Sequence, residues 1–193
     1  MEKSMIDLTK FCKPHHKYFG EPWSSGEYSY ATDGAIAVRI PRIDVKEKPR
    51  HLDVDSVIAE AKEKVSQDWV VPPPVKIKQN KCYECGGDGY LYMCITCNGD
   101  GCHDCDDVGC LTKTDWINTF GRVDSDRFRV PCSYCEGTGI ELEYSRVMIH
   151  GAAFDGKYIK MIDELPNSQI SVCSEIALFR FDGGEGALMP IRL

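Results

Sequence analysis

No stretch of the sequence approaches the roughly 18 consecutive apolar residues of a membrane-spanning helix, so no membrane partner is expected. The opening segment, MEKSMIDLTKFCKPHH, has no apolar core of the kind a secretory signal carries. A cytoplasmic setting with reduced thiols is the resulting expectation. Basic residues are in the minority, 23 Lys and Arg against 30 Asp and Glu, for a formal net charge of −7. Unaided binding to a phosphate backbone is not expected of such a chain. A nucleic-acid role would need a local basic face or a topological device. A phosphate-cradling loop is also missing: Gly183-Gly184-Glu185-Gly186 is not followed by Lys-Ser/Thr and reads as a hairpin turn. No nucleophile–base pair and no His/carboxylate set with open-site metal spacing stands out. The chain therefore reads as non-enzymatic, with no small-molecule substrate indicated. Thiol–disulfide exchange is the one chemistry left open.

What the sequence has in excess is cysteine. Nine of its eleven cysteines lie between positions 82 and 135, and eight of these form pairs: Cys82-Tyr-Glu-Cys85, Cys94-Ile-Thr-Cys97, Cys102-His-Asp-Cys105 and Cys132-Ser-Tyr-Cys135. In a reducing compartment, pairs at this spacing argue for metal rather than disulfides. Two intervening residues let both sulfurs turn toward one ion, and two such pairs complete a tetrahedral site of four thiolates. Eight cysteines thus predict two structural zinc ions. Glycines follow every pair, where the backbone must turn sharply and aim amides at sulfur. His103 and Cys110 lie close enough to serve as substitute ligands, or stand as a surface histidine and a spare thiol. Redox-active dithiols or disulfides are the alternative to metal.

This pattern resembles the cysteine-rich zinc domain of DnaJ-type heat-shock co-chaperones, which repeats Cys-x-x-Cys-x-Gly-x-Gly four times. Residues 82–89, 94–101 and 132–139 match fully. Residues 102–109 keep the cysteines and the last glycine, but Asp107 replaces the first glycine. The resemblance implies one site of Cys82, Cys85, Cys132 and Cys135 and a second of Cys94, Cys97, Cys102 and Cys105. Spacing points the same way. Only four residues separate Cys97 from Cys102, and joining the first pair to the last brings the two ends of the segment together. Sequential pairing, first with second and third with fourth, stays open. The rest of the co-chaperone is missing, with neither its His-Pro-Asp signature nor a Gly/Phe-rich linker. An arm of about Leu111 to Val130 carries Trp116, Ile117, Phe120 and Phe128, which either grip a partner or pack on the module. Ten acidic and four basic residues between 82 and 139 make a poor phosphate-binding surface.

Residues 79–139 read as an insertion into a body of 1–78 plus 140–193. In that body Met5 to Cys12 suggests a short helix with Leu8, Phe11 and Cys12 inward. Tyr28–Tyr30 and Ala35–Ile40 read as strands joined at Asp33-Gly34. Val54, Val57, Ile58, Ala61 and Val65 repeat at helical spacing behind the N-cap Asp53, with Leu52 and Val57 as a hydrophobic staple. Val75 to Lys78 leads into the insertion. Ile140, Leu142 and Tyr144 form the inward face of a strand on the far side, and the parity shifts near Arg146. Asp155 caps a second helix with Tyr158, Met161, Ile162 and Leu165 buried, stapled by Phe154 and Ile159. Three strands follow: Gln169–Cys173, Ile176–Phe181 and Ala187–Leu193, the last two joined across Asp182 to Glu185. The fold class is α+β, a sheet covered by two amphipathic helices and interrupted by a small zinc-knuckle module.

Residues 147–193, ending Ala187-Leu-Met-Pro-Ile-Arg-Leu193, resemble half of a domain of the bacterial sliding clamp, the DNA polymerase III β subunit. The Ala31-Thr-Asp-Gly34 turn is similar as well. The resemblance implies a clamp-like body, with Lys62, Lys64, Lys157 and Lys160 as candidates to face a duplex. One such domain encircles nothing alone, so DNA contact would require self-assembly. The functional expectation is a zinc-binding accessory of DNA replication or metabolism, of phage or prophage type, with a protein partner. A chaperone-like module is the alternative, and a thiol oxidoreductase the weaker one.

Overall fold

A computed structural model describes residues 6–13, 16–45, 53–66, 68–121 and 125–192. The described elements run in this order: β1 Trp23–Ser25, β2 Tyr28–Thr32, β3 Ile36–Pro41, α1 Val54–Lys64, β4 Ile77–Lys81, β5 Tyr90–Met93, β6 Cys110–Leu111, α2 Lys113–Phe120, β7 Arg129–Pro131, β8 Ile140–Tyr144, β9 Val147–Ile149, β10 Ala152–Phe154, α3 Gly156–Asp163, β11 Gln169–Val172, β12 Ala177–Phe181 and β13 Gly184–Leu188. The architecture is α+β, in two compact units: Met1–Lys76 with Tyr144–Leu193, and Ile77–Glu143. Among the described residues no helix is long and apolar enough to cross a membrane.

The body is built on one six-stranded antiparallel sheet, in the order β1-β2-β3-β13-β12-β11. Its central seam joins β3 to β13, with Ala37 opposite Ala187 and Arg39 opposite Glu185. Both faces are covered, and the inner strands carry apolar runs such as Ile36-Ala-Val and Ala177-Leu-Phe. On one face Ile36, Val38, Phe179 and Leu188 pack with Ile159 and Ile162 of α3. On the other, Tyr30, Ala37, Leu178 and Ala187 pack with Val54, Ile58 and Ala61 of α1. The two helices thus sit on opposite sides of the sheet.

Local chemistry sets both helix starts. Asp53 accepts from the Ser56 amide at 3.0 Å, and Asp155 from the Lys157 amide at 2.9 Å. Phe154 and Ile159 are both fully buried, as staple positions should be. Val57 departs from its expected place in the buried stripe and is 36% exposed; Leu52, its expected staple partner, lies outside the described residues.

Other expectations shift for physical reasons. The first helix is a single 3-10 turn, Leu8–Phe11, started by Asp7, which accepts from the Thr9 amide; Leu8 and Phe11 are buried and Cys12 packs half-buried against the same core, while Met5 lies outside the described residues. β13 begins at Gly184 rather than Ala187, since the turn needs only Asp182 and Gly183. A Cβ on Gly186 would stand 2.3 Å from both the Phe179 ring and the Ala37 carbonyl oxygen, so this glycine serves aromatic packing within the strand. Val147 and Ile149, where the alternation resumes after Arg146, form β9, but its antiparallel partner β10 and the turn at His150 and Gly151 had no reading in the sequence. Ile140 and Leu142 do not face inward; at 42% and 46% exposed they lie on β8, which pairs only with β4 in a two-stranded ribbon.

One ionic cluster ties the seam to α1. Arg39 Nη1 meets Asp55 Oδ1 at 2.6 Å, and Lys62 meets Glu185 at 2.8 Å. The Arg39 guanidinium also donates to Glu185 Oε1 through Nε at 3.0 Å. Burial raises the Glu185 pKa, but hydrogen bonds from Lys62 and Arg39 outweigh it and the net shift is downward. A carboxylate held below its unfolded value stabilises the fold above that value and loses the contribution as pH falls through the folded one. Arg39→Ala should lower the unfolding free energy of the body by about 1–3 kcal/mol at neutral pH. In urea titrations at falling pH, the gap between wild type and variant should narrow below the ordinary carboxylate range.

Candidate metal centre

The four Cys-x-x-Cys repeats follow one backbone path. After the second cysteine of each, the same three positions take positive φ: Gly86, Gly87 and Gly89; Asn98, Gly99 and Gly101; Asp106, Asp107 and Gly109; Glu136, Gly137 and Gly139. Asp107, where the repeat pattern lost a glycine, still adopts φ +61°, a region that aspartate tolerates better than most residues. In every repeat the amide three places after the second cysteine donates to that cysteine's carbonyl, at 3.0 to 3.2 Å. The amides of Gly89, Gly101 and Gly139 each donate to a sulfur, of Cys85, Cys97 and Cys135 respectively, at 3.2 Å. In the third repeat Cys105 Sγ accepts from the Cys102 amide at 3.3 Å instead.

The repeats then interlock in pairs. A Cβ on Gly89 would lie 2.4 Å from the Gly137 carbonyl oxygen, and one on Gly139 would lie 2.4 Å from that of Gly87. Cys82 and Cys132 donate their amides reciprocally to Gly139 and Gly89, at 3.0 and 2.9 Å. The first repeat is therefore locked to the fourth. The second and third repeats approach each other as closely, with a Cβ on Gly109 only 2.1 Å from the Gly99 oxygen.

This packing collects the sulfurs into two tetrads, Cys82/Cys85/Cys132/Cys135 and Cys94/Cys97/Cys102/Cys105, each within 4.8 Å and able to hold a metal ion. The thiols group first with last and second with third, not sequentially. Contacts across each tetrad measure 3.7 to 3.9 Å. A tetrahedron with Zn–S bonds of about 2.3 Å has edges of about 3.8 Å. A disulfide would need about 2.05 Å. The first tetrad is buried throughout; in the second, Cys97 and Cys102 are half-buried. Burial pushes the Cys82 and Cys102 thiols up to about 12. Burial also opposes ionisation of Cys94 and Cys135, but amide donors, from Cys97 and Thr96 in one case and Gly139 in the other, help bring both down to about 7.

His103 is fully exposed, lies 4.0 Å from Asp104 and is not part of the second tetrad. Cys110 stands beside that tetrad but outside its four sulfurs; its thiol is pushed up by burial and by the charges of Cys105, Cys97 and Cys94. Cys12 and Cys173 turn their thiols to backbone carbonyls of Leu8 and Ile176.

A three-stranded sheet, β6-β5-β7, carries the chain between repeats. Of the two uses weighed for the aromatic arm, packing is the one found. Trp116 is fully buried, donates Nε1–H to the Met93 carbonyl at 3.1 Å and meets the rings of Phe120, Phe128 and Tyr92 at 5.5 to 6.2 Å. Ile117 is half-buried. The aromatics that the module does expose are Tyr83 and Tyr134, inside the first and fourth knuckles, and nothing in the spacing marked them.

No family model, no curated protein and no solved structure matches the chain. The co-chaperone and clamp resemblances rest on their motifs alone.

Gly109→Ala should open the second tetrad and spare the first. With Ellman's reagent on reduced, metal-loaded protein, the slowly reacting thiols should fall from eight to four.

Proposed function

We propose that the chain is a non-enzymatic zinc protein in which two structural ions fold an inserted module that holds a protein partner. The observation that carries this reading is the set of sulfur separations, which are those of two tetrahedral four-thiolate sites. Cys82, Cys85, Cys132 and Cys135 would hold one ion; Cys94, Cys97, Cys102 and Cys105 would hold the other. Zinc in a closed four-thiolate site cross-links the chain and leaves no coordination position for substrate. The body's resemblance to a clamp domain suggests an accessory of DNA metabolism, touching DNA only through self-assembly.

Protein is favoured over DNA as the partner because the helix lysines are largely matched by carboxylates. Lys64 pairs with Glu60 at 2.7 Å and also with Glu175, Lys62 pairs with Glu185, and Lys160 meets Asp163 at 3.5 Å. With α1 and α3 on opposite faces of the sheet, those lysines do not share one surface.

Reduced protein should contain two zinc ions per chain by elemental analysis. Chelation in a Trp23→Phe/Trp69→Phe background should shift Trp116 emission to the red as its aromatic cage opens. Zinc uptake should weaken as pH falls, because protons compete for the same sulfurs and the raised Cys82 and Cys102 thiols must be displaced of theirs. Zinc content near zero in reduced, unchelated protein would overturn the reading.

A further inference from the structure

The inserted module presents one aromatic feature to solvent. Tyr83 sits between the cysteines of the first repeat and Tyr134 between those of the fourth. They are 66% and 49% exposed, and their rings meet edge to face with centroids 4.7 Å apart. Tyr134 Oη donates to Glu141 Oε1 at 2.8 Å, which fixes that ring. Both tyrosines are therefore held by the interlocked knuckles of the first tetrad, a rigid mount for side chains so exposed.

Elsewhere the chain pairs its aromatics with its own arginines. Arg129 lies 3.6 Å from the centroid of Tyr90, Arg180 lies 4.1 Å from that of Trp69, and Arg39 lies 4.8 Å from that of Tyr28. Among the described residues no cation of the chain stands over Tyr83 or Tyr134. Exposed Glu84 and Glu136 each adjoin a knuckle cysteine, and the segment from 82 to 139 holds ten acidic residues against four basic.

We infer that the Tyr83–Tyr134 pair is a docking point for an arginine-bearing segment of a partner protein. Resting on the zinc-module reading, the inference names the partner's chemistry. The guanidinium is planar, weakly hydrated and stacks on aromatic faces, and carboxylates of an acidic segment such as this one can pair with it bidentately. An acidic or purely apolar segment would gain only one of these terms, or be repelled.

The test uses the zinc-loaded full chain and a fluorescein-labelled peptide alternating arginine with glycine and serine, read by anisotropy at low salt. Wild type should bind it, and Tyr83→Ala and Tyr134→Ala should each weaken binding by about tenfold. Tyr83→Phe should keep most of the affinity, since the ring is what the cation meets. The same peptide with glutamine in place of arginine should not bind. Zinc content is measured on every variant, so loss of metal is told apart from loss of docking. Two zinc ions with no binding by wild type, binding unchanged by both alanine variants, or equal binding of the glutamine peptide would each overturn the inference and leave the zinc reading standing.

Discussion

The interlock of the first cysteine repeat with the fourth is the contact on which the inserted module depends. Cys82 and Cys132 are 50 positions apart in the chain, yet their sulfurs lie 3.9 Å from each other. Closing a loop of that length costs about 4 kcal/mol of chain entropy. The module's own apolar core is small: Trp116 and Tyr92 are its large, fully buried side chains. Two such residues contribute about 5 kcal/mol at most, nearly offset by the closure. A structural zinc site contributes about 10–16 kcal/mol in small metal-folded domains. On these magnitudes an ion bound at each tetrad would decide whether the module is folded. The glycine–carbonyl approaches between repeats are what allow four sulfurs to reach one point.

The body answers the same problem by other means. Its seam joins residues as distant as Arg39 and Glu185, 146 positions apart. Here apolar side chains on both faces of the sheet repay the closure. Ile36, Val38, Phe179 and Leu188 are fully buried on one side, and Ile58 and Ala61 on the other. The Arg39 cluster adds direction to that seam more than strength, since its carboxylates are partly hydrated.

Much of this was legible in the sequence, for reasons that can be named. Helix caps are local, so Asp53 and Asp155 marked their helices correctly. The eight cysteines were legible because a thiolate site has rigid spacing rules. Side-chain exposure was less so. Ile140 and Leu142 alternate as an inward strand face should, but nothing in the alternation says that no layer covers a two-stranded ribbon. Trp116 and Tyr83 are both aromatic and both near cysteines; only the tertiary path buries the first and exposes the second. The glycines of β13 signalled a turn, whereas their cause is the Phe179 and Phe181 rings lying across the strand.

Four-sulfur zinc coordination at both tetrads is the central claim, and X-ray absorption at the zinc edge tests it most directly. The expected result is a first shell of four sulfurs at about 2.3 Å, with no nitrogen or oxygen ligand averaged in. A shell containing imidazole nitrogen or oxygen, or a Cys110→Ser variant whose sulfur count falls, would contradict the assignment of these eight cysteines.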